Sequence, residues 1–191
     1  PLTAQTKYGG IRVEVDARLE QVRKILQIDI GFGDVPNAKE VELPTLLGSP
    51  GAPLLVYSLE SVIAEKFDAM VRHSYANSRM KDFYDIQMLS HKQRFDGRIL
   101  QEETFNRRGT PVERNIAVLR TEFGQDANIQ ALWVAFRRRL RQEGSSVGDF
   151  PEVLACIQKF LAPVYEATCS EQEFFGTWDC ETGKWVSTAP E

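Results

Sequence analysis

Residues 11 to 19 alternate without a break, with Ile11, Val13, Val15, Ala17 and Leu19 on one side and Arg12, Glu14, Asp16 and Arg18 on the other. A period of two is the signature of a half-buried strand. Residues 24 to 32 alternate as well, with Leu26, Ile28, Ile30 and Phe32 opposite Gln27 and Asp29. The link at Glu20 to Arg23 is short, so the two strands are expected to pair as an antiparallel hairpin. Val35 to Pro53 is rich in Pro and Gly and reads as loop with one short strand at Val41 to Leu43.

From Ser58 the period changes. Leu59, Val62, Ile63, Phe67, Met70 and Val71 recur at helical spacing, which predicts a helix over 59–74 with Ser58 as N-cap and Glu60 in the first turn. A polar joint, Ser74 to Ser78, leads to a second helix over 79–91. Helical patterns follow at 96–106, 112–123, 127–142 and 149–166, interrupted at Gly109-Thr110-Pro111 and Gly144-Ser145-Ser146. Trp178 to Val186 reads as a small hairpin turning at Gly183. Strands come first and helices after, so the expected class is α+β: a sheet region over 1–56, a helical bundle over 57–167 and a tail with a small β-hairpin over 168–191.

Composition narrows the picture little. Of 191 residues, 42% are hydrophobic and 26% charged, as in an ordinary globular protein. No apolar run reaches the length of a membrane helix, and Pro1 to Gly10 lacks the apolar core of a secretory signal. Cys156, Cys169 and Cys180 are odd in number and widely spaced, which points to reduced thiols and a cytoplasmic setting. With His73 and His91 as the two histidines, a His/Cys zinc site and a histidine-dependent phosphoesterase are both disfavoured. The net charge of −4 argues against a polycation. Arg107-Arg108 and the run Arg137, Arg138, Arg139 and Arg141 are local exceptions, read either as phosphate contacts or as a solvated helix face.

Asp29 stands out because aspartate is disfavoured in strands. Registers that keep both apolar rows on one face place it opposite Arg12, Glu14 or Asp16. Two of those three options set carboxylates side by side, which destabilises a sheet unless a cation lies between them or one carboxyl stays protonated. A hard divalent cation suits such an oxygen cluster; a solvated aspartate on an open face is the alternative. Lys66 lies in the row Val62, Lys66, Met70 on the apolar side of its helix. It either snorkels outward along its stem or reaches an anion such as a nucleotide phosphate. In Arg79-Met80-Lys81-Asp82-Phe83-Tyr84-Asp85, Asp82 and Asp85 are neighbours at i, i+3 and Lys81 can pair with Asp85 at i, i+4. Asp85 could be a general base, or could hold a lysine or a ribose hydroxyl.

Three blocks in order resemble the AbiEii/AbiGii toxin family of nucleotidyltransferases. They are Ile28-Asp29-Ile30-Gly31-Phe32-Gly33-Asp34, then Tyr57-Ser58-Leu59-Glu60-Ser61-Val62-Ile63-Ala64-Glu65-Lys66-Phe67, then Arg79-Met80-Lys81-Asp82-Phe83-Tyr84-Asp85. The resemblance covers about residues 9 to 90. It implies a partial nucleotidyltransferase-like sheet, similar to the catalytic domain of DNA polymerase β, with Mg²⁺ or Mn²⁺ as cofactor. Asp29 then matches a metal carboxylate, Lys66 and Lys81 lie at the nucleotide, and Asp82 and Asp85 match the last motif. The implied substrates are NTP and a tRNA acceptor, and the implied setting is a toxin–antitoxin or phage-defence system with a cognate antitoxin. The family's first motif, an Asp-x-Asp pair before the first strand, has no counterpart: Pro1 to Gly10 contains no acidic residue. This chain is therefore expected to be an N-terminally truncated piece, inactive alone. The reading from another class is a non-catalytic interaction domain, in which the bundle, the arginine run and the Trp178/Trp185 hairpin bind a protein or RNA partner.

Overall fold

The computed structural model describes residues 10–32, 38–45, 51–107, 112–142 and 147–187, without the side chains of 105–107 and 142. Gly33-Asp34, Arg108 and the breaks at Gly109-Thr110-Pro111 and Gly144-Ser145-Ser146 lie outside the described residues. The protein is α+β and divides into two compact units, 1–36 and 37–191.

In the first unit, β1 (Gly10–Leu19) and β2 (Val22–Gly31) form the expected antiparallel hairpin. Glu20 takes the left-handed φ of 53° in a two-residue turn, which fits the twist of the flanking strands. The turn fixes the register. With Leu19 opposite Val22, the apolar pairs are Ile11–Ile30, Val13–Ile28 and Val15–Leu26, all on one face. That face is not half-buried as the alternation suggests: Ile11 is 53% exposed and Ile28 50%. Alternation reports a two-faced strand, and it does not supply the layer that covers the apolar face.

The second unit opens with another hairpin, β3 (Ala38–Leu43) against β4 (Ala52–Tyr57). β4 has no counterpart in the periodicity, because Leu54-Leu55-Val56-Tyr57 is a continuous apolar run and Pro53 reads as a breaker. Helix α1 (Leu59–His73) begins as expected, with the Ser58 side chain accepting from the Ser61 backbone N–H at 3.1 Å. A 3₁₀ turn at Ser74–Ala76 leads into α2 (Met80–Lys92). Ile63, Phe67 and Met70 of α1 and Met80, Phe83 and Ile86 of α2 are buried in one core.

Two helices differ from their patterns. Residues 96–106 form β5 (Phe95–Asp96), a short α3 (Gly97–Gln101) and a π-helical stretch, Glu102–Arg107. Residues 112–123 are not an α-helix: they form 3₁₀ turns at Ala117–Leu119 and Thr121–Gln125. Asn115, at φ 73°, is in a conformation that a right-handed helix cannot continue through. Of the hydrophobic side chains buried there, Ile116, Val118 and Phe123, Val118 lies off the helical row that Ile116 and Phe123 share. Helices α4 (Ala127–Gln142) and α5 (Phe150–Cys169) fall where expected, α5 running three residues further. The tail hairpin, β6 (Thr177–Asp179) and β7 (Lys184–Val186), turns at Gly183 with φ 59° and adds to β5 as a three-stranded sheet. The three cysteines are free. No described helix is long and apolar enough to cross a membrane.

Tyr165 ties the irregular segment to α5. Its hydroxyl donates to the Glu113 carbonyl at 2.6 Å and accepts from the Glu113 N–H at 2.9 Å. Burial pushes its pKa up from 10.0 to about 12. An acid whose folded pKa is raised contributes stability below its unfolded pKa and loses it as pH rises through the folded value. Stability is therefore expected to fall between pH 10.0 and about 12. Tyr165→Phe should flatten that part of the curve, as read by urea unfolding across the alkaline range; an unchanged slope would assign the loss to other groups.

Candidate functional site

Lys66 is the centre of the site. It lies on α1 one turn from Met70, a core residue, so its stem leaves the apolar side of the helix. Its Nζ is 2.8 Å from Asp85 Oδ2 and 3.1 Å from Asp82 Oδ1. Both aspartates are on α2, one turn apart and turned towards α1. Lys81 closes the group, donating to Asp85 Oδ2 at 2.7 Å. The Lys66, Asp82 and Asp85 side chains are only 19%, 15% and 20% exposed. Burial pulls the Lys66 pKa down, but hydrogen bonds from Nζ to Asp85 and Asp82 outweigh it, so the pKa is raised from 10.5 and the amine is cationic at neutral pH. The anion that Lys66 meets in the structure is a pair of side chains of the protein itself, Asp82 and Asp85.

The cluster borders a groove of about 700 Å³ between α2 and the second half of α4. Arg79, Lys81, Tyr84, Phe136 and Arg139 line it together with Asp82 and Asp85. The Tyr84 and Phe136 rings pack with centroids 5.8 Å apart. Arg139 belongs to the arginine run, expected to be either phosphate contacts or a solvated helix face, whereas Arg79 and Phe136 are lining residues with no role assigned from the sequence. The one trace of Phe136 is its position directly before the arginine run.

Asp29 belongs to the other unit. The register places it opposite Arg12, which donates through Nε at 2.6 Å and Nη2 at 3.0 Å, one bond to each carboxylate oxygen. The opposed carboxylates considered for this strand pair are therefore not present; the two-residue turn selects the Arg12 register over Glu14 or Asp16. The Arg12 guanidinium holds the Asp29 carboxyl below its usual pKa of 3.8. Among the described residues no three His, Cys, Asp or Glu side chains cluster to hold a metal. Asp29 has both oxygens on Arg12, and Asp82 and Asp85 face lysines, so these three carboxylates do not fit a divalent cation as they stand.

A family model described as "Nucleotidyl transferase AbiEii toxin, Type IV TA system" matches residues 1–159. No curated protein and no solved structure matches significantly. The match defines the class as a nucleotidyl transferase toxin of a toxin–antitoxin system. The chain belongs to the AbiEii family.

Proposed function

We propose that the gene product carrying this chain transfers a nucleotide from an NTP to the hydroxyl of an RNA acceptor, tRNA above all, as a toxin held in check by a cognate antitoxin. The observation that supports this reading is Lys66, a cation at neutral pH held between two carboxylates at the edge of a groove lined with basic and aromatic side chains. A phosphate entering beside Lys66 exchanges for one aspartate as its partner, which leaves that carboxylate free to accept the acceptor's proton. The acceptor oxygen bonds to the α-phosphorus as the bond to pyrophosphate breaks. Lys66 and Lys81 offset the charge on the departing phosphates, and Asp85 or Asp82 takes the hydroxyl proton. Transfer of this class is generally dependent on Mg²⁺ or Mn²⁺, and Asp29, Asp82 and Asp85, paired as they are with Arg12 and the lysines, do not fit the ion.

Asp29 enters the proposal through the resemblance of the block Ile28 to Asp34 to a family motif, and its test is direct. The gene product is incubated with each radiolabelled NTP and bulk tRNA, with Mg²⁺ or with a chelator. Label should pass to tRNA with one NTP preferred, and the chelator should stop it. Asp29→Ala should abolish both transfer and growth inhibition without loss of folding, since the Arg12–Asp29 pair is exposed. Full toxicity in Asp29→Ala, together with no transfer from any NTP, would sink the reading in favour of an interaction domain.

A further inference from the structure

Helix α4 carries an arginine run to which the proposed transfer chemistry gives no part. Arg137, Arg138, Arg139 and Arg141 fall within two turns of one helix in a chain whose net charge is −4. Among the described residues, Arg137 alone of the four forms an ion pair, with Asp149 at the start of α5. Arg138, Arg139 and Arg141 are exposed. At about 100° per residue, Arg137, Arg138 and Arg141 share one arc of the helix and Arg139 faces away from it. The surface follows that division. Arg139 lines the groove that α4 shares with Lys81, Asp82 and Asp85, while Arg137, Arg138 and Arg141 line a second groove of about 530 Å³ with Val134. The α4 ridge is therefore basic on both flanks, and one flank opens onto the Lys66 cluster.

We infer that α4 is the track for the sugar–phosphate backbone of a single-stranded nucleic acid, which crosses from the outer groove over Arg141 and Arg138 to Arg139. Its end then lies at Asp82 and Asp85. This rests on the proposed transfer, because it names the surface that carries the acceptor. Three features favour a polynucleotide over an acidic protein. Planar guanidinium groups splayed around one helix suit a flexible chain of phosphates. The Tyr84–Phe136 pair in the inner groove offers rings for a terminal base to stack on, the combination that single-strand binding uses. Among the described residues Val134 is the one apolar residue lining the outer groove, which leaves a protein partner little to anchor on.

The test is equilibrium binding without NTP and with a chelator present, so that it does not depend on transfer. The probes are fluorescent bulk tRNA, a single-stranded oligoribonucleotide and the matching oligodeoxyribonucleotide. Arg138→Gln/Arg139→Gln/Arg141→Gln should weaken binding of single strands by roughly 10- to 100-fold at low salt and lower the slope of log affinity against log salt by ~2. Arg137 is left intact because it holds Asp149. A control, Lys92→Gln/Arg98→Gln/Arg114→Gln, removes the same charge from exposed positions elsewhere and should change binding by less than about threefold. Circular dichroism checks that both variants fold. Equal losses in both variants would overturn the inference in favour of bulk electrostatics. Loss of binding to an acidic antitoxin, with RNA and DNA binding unchanged, would overturn it in favour of a protein partner. Preference for RNA over DNA names the acceptor's sugar, whereas failure of transfer with binding intact refutes the enzymatic reading alone.

Discussion

Trp178→Ala is expected to cost about 3–5 kcal/mol of stability, the range for emptying a large aromatic site from a packed core. Trp178 is 1% exposed. Its ring packs on Phe160 at 4.9 Å and Trp185 at 5.4 Å between centroids, and its indole N–H donates to the Ser90 carbonyl at 2.7 Å. Ser90 is in the last turn of α2, where carbonyls lack helical partners, so the indole supplies a bond that the helix cannot. Trp178→Phe keeps a ring and orphans that carbonyl, for a smaller loss of about 1–3 kcal/mol. Urea unfolding monitored by far-UV circular dichroism measures both. The stake is the standing of the tail: β6 and β7 lie beyond residues 1–159, the span of the family match, yet β6 pairs with β5 inside it. A loss below about 1 kcal/mol for Trp178→Ala would mean that the tail rests on the bundle without holding it.

The elements legible in the sequence are those whose pattern is set within the element. β1 and β2 alternate, α1 has its Ser58 cap, and α4 and α5 repeat at helical spacing; each appears within about three residues of its expected bounds. What was not legible depends on partners distant in the chain. Phe95 becomes a strand because Trp178 pairs with it. Val112, Ile116, Leu119 and Phe123 recur at helical intervals, but the chain turns left-handed at Asn115 and buries Val118 with Ile116 and Phe123, leaving Val112 exposed and Leu119 half-buried. Local period cannot report that choice, since docking against the bundle decides it.

The candidate site divides in the same way. The i, i+3 and i, i+4 relations among Lys81, Asp82 and Asp85 were readable, and so was the apolar side from which Lys66 emerges. That Lys66 meets both aspartates requires α1 and α2 to pack face to face, which no spacing states. Arg12 opposite Asp29 was one of three registers until the turn at Glu20 chose it.

Lys66→Met should lower transfer by roughly 10²–10³-fold, the usual cost of removing one charge-stabilising group from a reaction centre. It should also cost about 1–3 kcal/mol of stability, because Asp82 and Asp85 are left largely desolvated and Lys81 pairs with Asp85. A loss of activity alone would not separate the two effects. The neutral combination Lys66→Met/Asp82→Asn/Asp85→Asn does. Replacing a partly buried ion cluster by uncharged groups of similar size is often close to neutral for folding, whereas deleting one partner is not. Stability should therefore return to within about 1 kcal/mol of the parent while transfer stays lost. Lys66→Arg keeps a positive charge in a different shape, and a phosphate-binding role predicts that it retains some transfer with a raised KM for the NTP. If the neutral combination recovered transfer along with stability, Lys66 would be a strut between α1 and α2, and the chemistry would have to be sought elsewhere.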